Sequence, residues 1–240
     1  MIIDYVKARE RMVQEQLMSR GINDSRVLRA MAKVPRHRFL KSELWGQAYE
    51  DHPLPIGANQ TISQPYMVAL MAQALELKGT ERVLEVGTGS GYLAAVLSEL
   101  CADVFSVEMV QVLALKARTL LSSLGYRNVS VLVGDGTLGW EEHSPYDAVV
   151  ISAAAPCIPR PLIEQLTVPG YLVFPMGEKE LQTLVRIRKD RGGIREEYFG
   201  ECQFVRLTGR YGWENELCCL CKKWLAETAD PSVTCELECT

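Results

Sequence analysis

The stretch "LEVGTGSGY", residues 84–92, decides the fold class of this chain of 240 residues. Its apolar beginning is typical of a buried strand, and the run "LAAVL" that follows is typical of a helix. Between them, Gly87, Gly89 and Gly91 alternate with small polar residues. Glycine permits positive φ and a close approach of the backbone to a ligand, and a helix N-terminus favours polar groups on that ligand. The stretch therefore predicts a ligand-binding loop between a strand and a helix.

The segments that follow this loop repeat the alternation of strand and helix. Apolar runs typical of strands are separated by helical patterns and occupy residues 82–87, 103–108, 129–135, 146–154 and 171–177. Such alternation produces a mostly parallel, twisted sheet with helices on both faces. We therefore expect a Rossmann-like α/β fold, with two further strands at residues 181–189 and 202–209.

The N-terminal part of the chain has a different, helical pattern. Apolar residues recur at helical spacing in three segments, residues 5–20, 23–34 and 65–77. Residues 36–60 contain several Pro and Gly residues and predict a long, shaped loop. We expect three regions: an N-terminal helical cap and substrate loop (1–78), the α/β core (79–224) and a disordered, Cys-containing tail (225–240).

Composition excludes several function classes. The net charge of −4 leaves no basic field for a phosphate backbone, so we expect no nucleic-acid partner. A local basic cluster of Lys33, Arg36, His37 and Arg38 is typical of a solvated surface. Neither a signal-peptide core nor an apolar run of membrane-spanning length is present, so we expect a cytoplasmic protein without a membrane partner.

Cysteines are concentrated at the C-terminal end of the sequence. Their spacing is compatible with zinc, but "LCCLCKKWL" (217–225) is also typical of a terminal strand followed by a polar tail. We favour the strand and expect no metal site. The cysteines concerned are Cys218, Cys219, Cys221, Cys235 and Cys239.

Three carboxylates lie at or near the ends of successive predicted strands. Glu108 ends the second strand and could accept hydrogen bonds from ribose hydroxyls. Asp135, followed by Gly136, ends the third strand and could accept from an adenine amino group. Glu85 precedes the glycine loop and could face a cationic group. Since ligands of such sheets bind beyond the carboxyl ends of the strands, these residues predict S-adenosylmethionine, a nucleoside with positive charge and no phosphate.

A dinucleotide is the alternative ligand for a glycine loop. Its fingerprint requires Gly or Ala at the sixth position counted from Gly87, where this chain has the much larger Tyr92. Two phosphates would also fit an acidic crevice badly. A nicotinamide-dependent oxidoreductase and a non-enzymatic binding module are therefore the less favoured functions.

The methyl acceptor is indicated by what the sequence lacks. "SAAAPCIP" (152–159), after the fourth strand of the core, offers no base for an amine or alcohol acceptor. A carboxylate acceptor needs no base, because it is already ionised at neutral pH. The polar run "NQTISQP" (59–65) contains Ser63, which could be a helix cap or could present a hydroxyl to such an acceptor. No G-x-S-x-G motif surrounds Ser63, so we do not expect a nucleophile.

Several segments resemble the protein-L-isoaspartate (D-aspartate) O-methyltransferase family. The most specific are "QTISQP" (60–65) and the glycine loop; others are "VFSVE", "VGDGTLGW", "VFPMGEKELQTL" and "QFVRLTGRYGW". The resemblance runs from about residue 5 to about residue 213 and implies a class I S-adenosylmethionine-dependent methyltransferase fold for the core. It also implies methylation of the α-carboxyl of isoaspartyl residues in damaged proteins, followed by succinimide formation.

The same resemblance implies roles for individual residues. Ser63 matches the active-site hydroxyl, and Thr61 and Ile62 line the same wall as cofactor-binding residues. The residues that match the family's cofactor loop are Gly87, Thr88, Gly89, Ser90 and Gly91. Glu108 matches its ribose ligand, and Asp135 with Gly136 matches the residues on the adenine side. Glu85 is placed near the cofactor by its position.

Two departures from the family pattern concern the site. Met109 stands where Arg is frequent, and Arg206 stands where Pro is usual, in a segment expected to flank the substrate peptide. Arg206 leaves an alternative open, a carboxyl methyltransferase dedicated to one specific peptide. We expect a monomer.

Overall fold

The computed structural model describes residues 3–213, and two helices open this part of the chain. Helix α1 (Tyr5–Arg11) begins at Asp4 and helix α2 (Ser25–Lys33) at Asp24, and each Asp side chain accepts hydrogen bonds from N–H groups of the first turn. Between these two helices, a 3₁₀ turn ends at Gly21, whose φ of 89° lies in the left-handed region. The shorter helical segments of the fold are a π-helical stretch, Met12–Leu17, and 3₁₀ turns at Met18–Arg20, Arg36–Phe39, Ser42–Gln47, Gly136–Leu138 and Glu141–His143.

A short hairpin occupies the end of the segment expected to be a loop. Strand β1 (Leu54–Gly57) pairs antiparallel with β2 (Gln60–Ile62). Ala58 and Asn59 connect them with φ values of 52° and 56°, the positive φ that tight hairpin turns require. The strands are too short to show an alternating pattern, so the loop prediction for residues 36–60 was wrong at this point. The hairpin leads directly to α3 (Pro65–Ala74).

The core is a seven-stranded sheet. Its strands are β3 (Arg82–Val86), β4 (Asp103–Glu108), β5 (Val129–Val133), β6 (Tyr146–Ile151), β7 (Leu166–Gly177), β8 (Gln182–Asp190) and β9 (Gly193–Cys202). They lie in the order β5-β4-β3-β6-β7-β8-β9. The first four pairings in that order are parallel, and β8 and β9 are antiparallel additions at one edge. This mostly parallel sheet confirms the expected fold class.

Helices cover both faces of the parallel part of the sheet. Helix α4 (Tyr92–Ser98) is buried along most of its length, as is the apolar side of α5 (Gln111–Ser123), while α6 (Arg160–Glu164) precedes β7. Side chains alternate along β3: Val83 packs in the core that contains α4, and Leu84 packs in the core on the opposite face. No helix among residues 3–213 combines the length and the apolar composition needed to cross a bilayer.

The last strand lies earlier in the chain than expected. β9 ends at Cys202, whereas residues 203–208 run irregularly, with one isolated parallel bridge between Arg206 and Ala154. The prediction of a strand at 202–209 was wrong because β9 is a polar, largely exposed edge strand without a clear apolar alternation. The terminal strand at 217–225, the zinc alternative and the tail at 225–240 lie outside the described residues.

Candidate active site

A pocket opens at the carboxyl ends of β3 and β4, where the glycine loop leaves the sheet. It encloses about 880 Å³ including space open to solvent. Of the residues predicted for the site, those that line it are Thr61, Ile62, Ser63, Glu85, Gly87, Thr88, Gly89, Ser90, Glu108 and Gly136. The structure thus brings together side chains from the hairpin, the glycine loop and two strand ends.

The glycine loop depends on backbone conformations that other residues rarely adopt. Gly87 and Gly89 have φ values of 93° and 53°. A Cβ atom on Gly89 would lie 3.4 Å from the Ile56 side chain, so the loop packs closely beneath the hairpin. Both glycines leave the pocket floor as bare backbone that a ligand can approach.

Glu108 ties the glycine loop to the beginning of α5. Its carboxylate accepts hydrogen bonds from the backbone N–H of Gly89, at 2.8 Å, and of Val110, at 2.9 Å. Only 7% of the residue is exposed, although it lines the pocket. One carboxylate therefore fixes the loop and still presents an acidic edge to a ligand.

Glu85 is a fully buried carboxyl group within a chain of hydroxyls. Residues 85 and 106 are partners in the parallel register of β3 and β4, and Ser106 donates a hydrogen bond to one carboxylate oxygen of Glu85. The Thr88 hydroxyl in turn hydrogen-bonds Ser106. The other oxygen, Oε1, has no hydrogen-bond partner among the described residues. The pKa of Glu85 is raised to about 8, mainly because burial disfavours its charged form. The hydrogen bond from Ser106 lowers the pKa, and the charge of the nearby Glu108 raises it.

These features fit the expected cofactor. An orphaned buried oxygen on the pocket wall needs a donor, and the ammonium group of S-adenosylmethionine would supply one. Glu85 and Glu108 make this wall acidic, which suits a cationic nucleoside and disfavours phosphates. The residues present therefore fit S-adenosylmethionine better than a dinucleotide.

Ser63 lies where this pocket meets a second one. The second pocket encloses about 770 Å³ including open space and shares Thr61, Ser63, Ser152 and Val205 with the first. Its other lining residues are Pro53, Gln64, Met67, Gln203 and Phe204. The N-cap of α3 is Gln64, so Ser63 is not the cap of that helix. Ser63 therefore lies at the junction of the two pockets.

Two of the predicted cofactor-binding residues are not part of the pocket wall. Gly91 is the N-cap of α4 with φ 87°, and a Cβ atom there would lie 3.2 Å from Leu121. Asp135 caps the short turn that begins at Gly136, and its carboxylate accepts from the backbone N–H of Thr137. The structure assigns both residues contacts within the protein.

Other pocket residues were missed from the sequence. Ser106 could have been found, because residues two apart on a strand share a face and the parallel register places it beside Glu85. Ser152 follows β6 and lines both pockets. Leu207 and Thr208 reach the first pocket from the C-terminal end of the described chain, and no local pattern signals that return.

Comparison with known proteins identifies the family of this chain. The family model for protein-L-isoaspartate (D-aspartate) O-methyltransferase matches residues 7–212. The chain belongs to this family. The resemblance seen in the sequence is thereby confirmed.

Curated O-methyltransferases resemble this chain over nearly their full length. Protein-L-isoaspartate O-methyltransferase 1 of Syntrophobacter fumaroxidans is 54% identical over 213 residues, which cover 89% of this chain and 100% of that protein. The protein-L-isoaspartate O-methyltransferase of Geobacter metallireducens is 55% identical over 211 residues, covering 87% and 97%.

Solved structures of isoaspartate O-methyltransferases share the fold. One superposes with a TM-score of 0.77 at 31% identity and covers 85% of this chain and 67% of its own. A β-aspartate methyltransferase from Plasmodium falciparum, in complex with S-adenosyl-L-homocysteine, has a TM-score of 0.71 at 25% identity. The superposition covers 86% of this chain and 99% of that one.

Because Glu85 of this O-methyltransferase is buried, we expect its affinity for S-adenosylhomocysteine to depend on pH. Because its pKa is raised to about 8, Glu85 is protonated below that pH in the free protein and must lose the proton to pair with a cation. The Kd for S-adenosylhomocysteine should therefore fall as the pH rises toward about 8, by up to ~10-fold per pH unit, and then level off. Isothermal titration calorimetry in buffers of different ionisation enthalpy measures both the Kd and the released proton.

The control for this prediction is Glu85→Gln, which cannot ionise. Its Kd should be weaker than that of the wild type near pH 8 and should not vary across the same range. A wild-type Kd that is flat with pH, or a Glu85→Gln variant with the same slope, would contradict the role of Glu85 as the counter-ion.

A second prediction concerns Gly91 of this O-methyltransferase. Gly91→Ala forces a side chain into the left-handed region and against Leu121, so the free energy of unfolding should fall by about 1–2 kcal/mol from the backbone alone. Gly21→Ala is the matched control, because φ is 89° there and no atom lies within 4 Å of the added Cβ. Denaturant unfolding should show the larger loss for Gly91→Ala. A specific loss of nucleoside affinity without lost stability would instead make Gly91 a cofactor contact.

Proposed function

We propose that Ser63 holds the acceptor carboxylate of an isoaspartyl residue at the junction of the two pockets. The observation that carries this proposal is the position of Ser63, which lines both pockets. The cofactor would occupy the pocket with the glycine loop, and the substrate peptide would occupy the second pocket. Ser63 and Thr61 are then the hydroxyls that meet the reacting oxygen.

As a member of its family, the chain is an S-adenosylmethionine-dependent methyltransferase that methylates isoaspartyl residues in damaged proteins and so initiates their repair. Methylation turns the ionised α-carboxylate into an ester, whose carbonyl the adjacent backbone nitrogen attacks. Methanol leaves as the succinimide closes, whereas the carboxylate offers no comparable leaving group. The comparisons confirm the activity and the cofactor expected from the sequence.

The residues that would hold the cofactor are those of the acidic wall and the glycine loop. Glu108 would accept from ribose hydroxyls, and Glu85 would accept from the ammonium group. The backbone of Gly87 and Gly89 would lie against the amino-acid part. When bound, S-adenosylmethionine supplies an electrophilic methyl group on a positively charged sulfur.

The protein's own contribution is positioning and exclusion of water. The acceptor is already an anion, so the site needs no base, and none of the side chains shared by the two pockets is a base. The Ser63 hydroxyl would donate to one carboxylate oxygen and leave the other free to attack the methyl carbon. Alignment of this kind is worth up to about 7–11 kcal/mol of the barrier.

The test of this function compares two peptides that differ only in one linkage. Methyl-ester formation is measured on an isoaspartyl peptide and on the same peptide with a normal aspartyl residue. Turnover of the isoaspartyl form alone is expected. Turnover of neither, with turnover of one particular natural peptide, would support the dedicated-peptide alternative, in which the exposed Arg206 at the pocket contributes to substrate choice.

We propose that the enzyme acts as a monomer in the cytoplasm and that residues 1–78 form the substrate-facing cap on the core at 79–224. A molar mass of one chain in light scattering would support the first.

A further inference from the structure

We infer that Arg206 sets substrate specificity: its guanidinium binds the side-chain carboxylate of a substrate residue next to the isoaspartyl residue. Isoaspartyl sites with an acidic neighbour are then the preferred substrates of this enzyme. The inference rests on the proposed function, because it places the substrate peptide in the second pocket. It adds a second anionic group on that peptide to the carboxylate that is methylated.

One short segment, residues 203–208, forms a continuous wall of both pockets. Its first two residues line the second pocket, Val205 lines both pockets, and its last three residues line the cofactor pocket. Arg206 therefore follows directly after a residue at the junction, where we place the isoaspartyl carboxylate. The long side chain of an arginine at this point can reach a residue next to the one that is methylated.

The backbone on both sides of Arg206 is fixed to the loop after β6. The carbonyl of Val205 accepts from the backbone N–H of Ala154 at 2.7 Å, and the N–H of Leu207 donates to the carbonyl of Ala154 at 2.8 Å. Val205 and Leu207 pack in the same hydrophobic core. Because neighbours on an extended segment point to opposite sides, Arg206 points away from that core. A rigid backbone thus carries an exposed side chain.

The charges around the two pockets leave Arg206 available to an anion. It is the only positively charged residue among those described residues that line either pocket; the other charged ones are Glu85 and Glu108 of the cofactor wall. Its guanidinium forms no ion pair and no hydrogen bond with residues 3–213. Arginine suits a carboxylate because its planar fork can donate two parallel hydrogen bonds. An anionic substrate would therefore meet an unpaired cation here.

Two other carboxylates would be bound nearby, and neither suits Arg206 as well. A guanidinium on the methyl acceptor would draw charge from the attacking oxygen, whereas the neutral Ser63 hydroxyl orients it at a smaller cost. The amino-acid part of the cofactor is placed beside Glu85, which is fully buried, whereas Arg206 is exposed. A side chain of the substrate peptide is the remaining partner.

The experiment measures kcat/KM for isoaspartyl peptides that carry Glu or Gln immediately before, or immediately after, the isoaspartyl residue. At one of the two positions, the wild type should favour Glu over Gln by roughly two- to fivefold, as for one exposed ion pair. This preference should shrink as the salt concentration is raised to about 0.5 M, because exposed charges are screened.

Variants at two exposed arginines show whether the contact is direct. Arg206→Gln should reduce the ratio of the Glu to the Gln peptide to about one, and Arg206→Glu should favour a Lys peptide over the Gln peptide. Arg210→Gln is the matched control, since Arg210 is exposed and lines neither pocket, and its loss changes the net charge equally. The preference of Arg210→Gln should equal that of the wild type. Calorimetry should give Arg206→Gln the wild-type Kd for S-adenosylhomocysteine.

Several results would overturn the inference. Equal kcat/KM for the Glu and Gln peptides at both positions in the wild type would contradict it while leaving the proposed function intact. The same preference in Arg206→Gln, or an equal loss in Arg210→Gln, would show that no direct contact exists. A weaker Kd for the nucleoside in Arg206→Gln would place the guanidinium on the cofactor. Turnover of none of the isoaspartyl peptides would contradict the proposed function, and the inference with it.

Discussion

Replacing Ser63 by Ala is expected to slow methyl transfer by about a hundredfold while the affinity for S-adenosylhomocysteine stays unchanged. The site has no base to lose, so its catalytic power comes from alignment, and a misplacement of about 1 Å costs on the order of 10²-fold in rate. Ser63 lies at the junction of two pockets, where we propose that its hydroxyl aligns the acceptor oxygen. Single-turnover methylation of an isoaspartyl peptide measures the rate, and calorimetry measures the Kd.

Ser63→Thr is the matched control for this prediction, because it keeps a hydroxyl at the same position. It should retain more activity than Ser63→Ala. If Ser63→Ala bound the nucleoside as poorly as it methylated the peptide, Ser63 would be a structural residue. An equal loss in the Thr variant would show that the volume at residue 63 matters and the hydroxyl does not.

Replacing Glu108 by Ala is expected to weaken S-adenosylhomocysteine by about 1.5–3 kcal/mol, roughly 10- to 150-fold in Kd. The carboxylate makes two hydrogen bonds to backbone N–H groups, of Gly89 and Val110, so its loss frees the glycine loop as well as removing the acidic edge of the pocket. Calorimetry at constant pH measures this loss.

Glu81→Ala provides a control of the same chemical kind. The Glu81 carboxylate also accepts from backbone N–H groups, those of Lys78, Gly79 and Thr80, but it precedes β3 and does not line the pocket. It should lower stability without changing the Kd. Equal Kd values for Glu108→Ala and the wild type would remove Glu108 from the binding site.

The sheet and the glycine loop could be predicted because their signals are local. β4 was expected at 103–108 and is observed there, since buried parallel strands are short apolar runs bounded by turns. The alternation of Gly87, Gly89 and Gly91 marked the loop in the same way, because positive φ is required at each. Most residues of the cofactor pocket could therefore be predicted from the positions at which the strands end.

The features that were missed depend on contacts between distant residues. β9 is recognised only by its pairing with β8, since its own residues are mostly exposed. The backbone N–H of Arg210 reaches the Asp135 carboxylate from 75 residues later in the chain, and nothing in "GDG" distinguishes a carboxylate that binds a ligand from one that binds Arg210. For Gly91, too, the sequence does not distinguish two roles, because close packing against Leu121 requires glycine just as a cofactor contact would.

The central claim is that Ser63 joins the nucleoside and the isoaspartyl carboxylate where the two pockets meet. The measurement that tests it most directly is a crystal structure with S-adenosylhomocysteine and an isoaspartyl peptide bound together. We predict the nucleoside between the Gly87–Gly89 backbone and Glu108, and the peptide carboxylate within hydrogen-bond distance of the Ser63 hydroxyl, with the peptide extending past Phe204. A carboxylate bound away from Ser63, or a nucleoside outside the glycine loop, would contradict the claim.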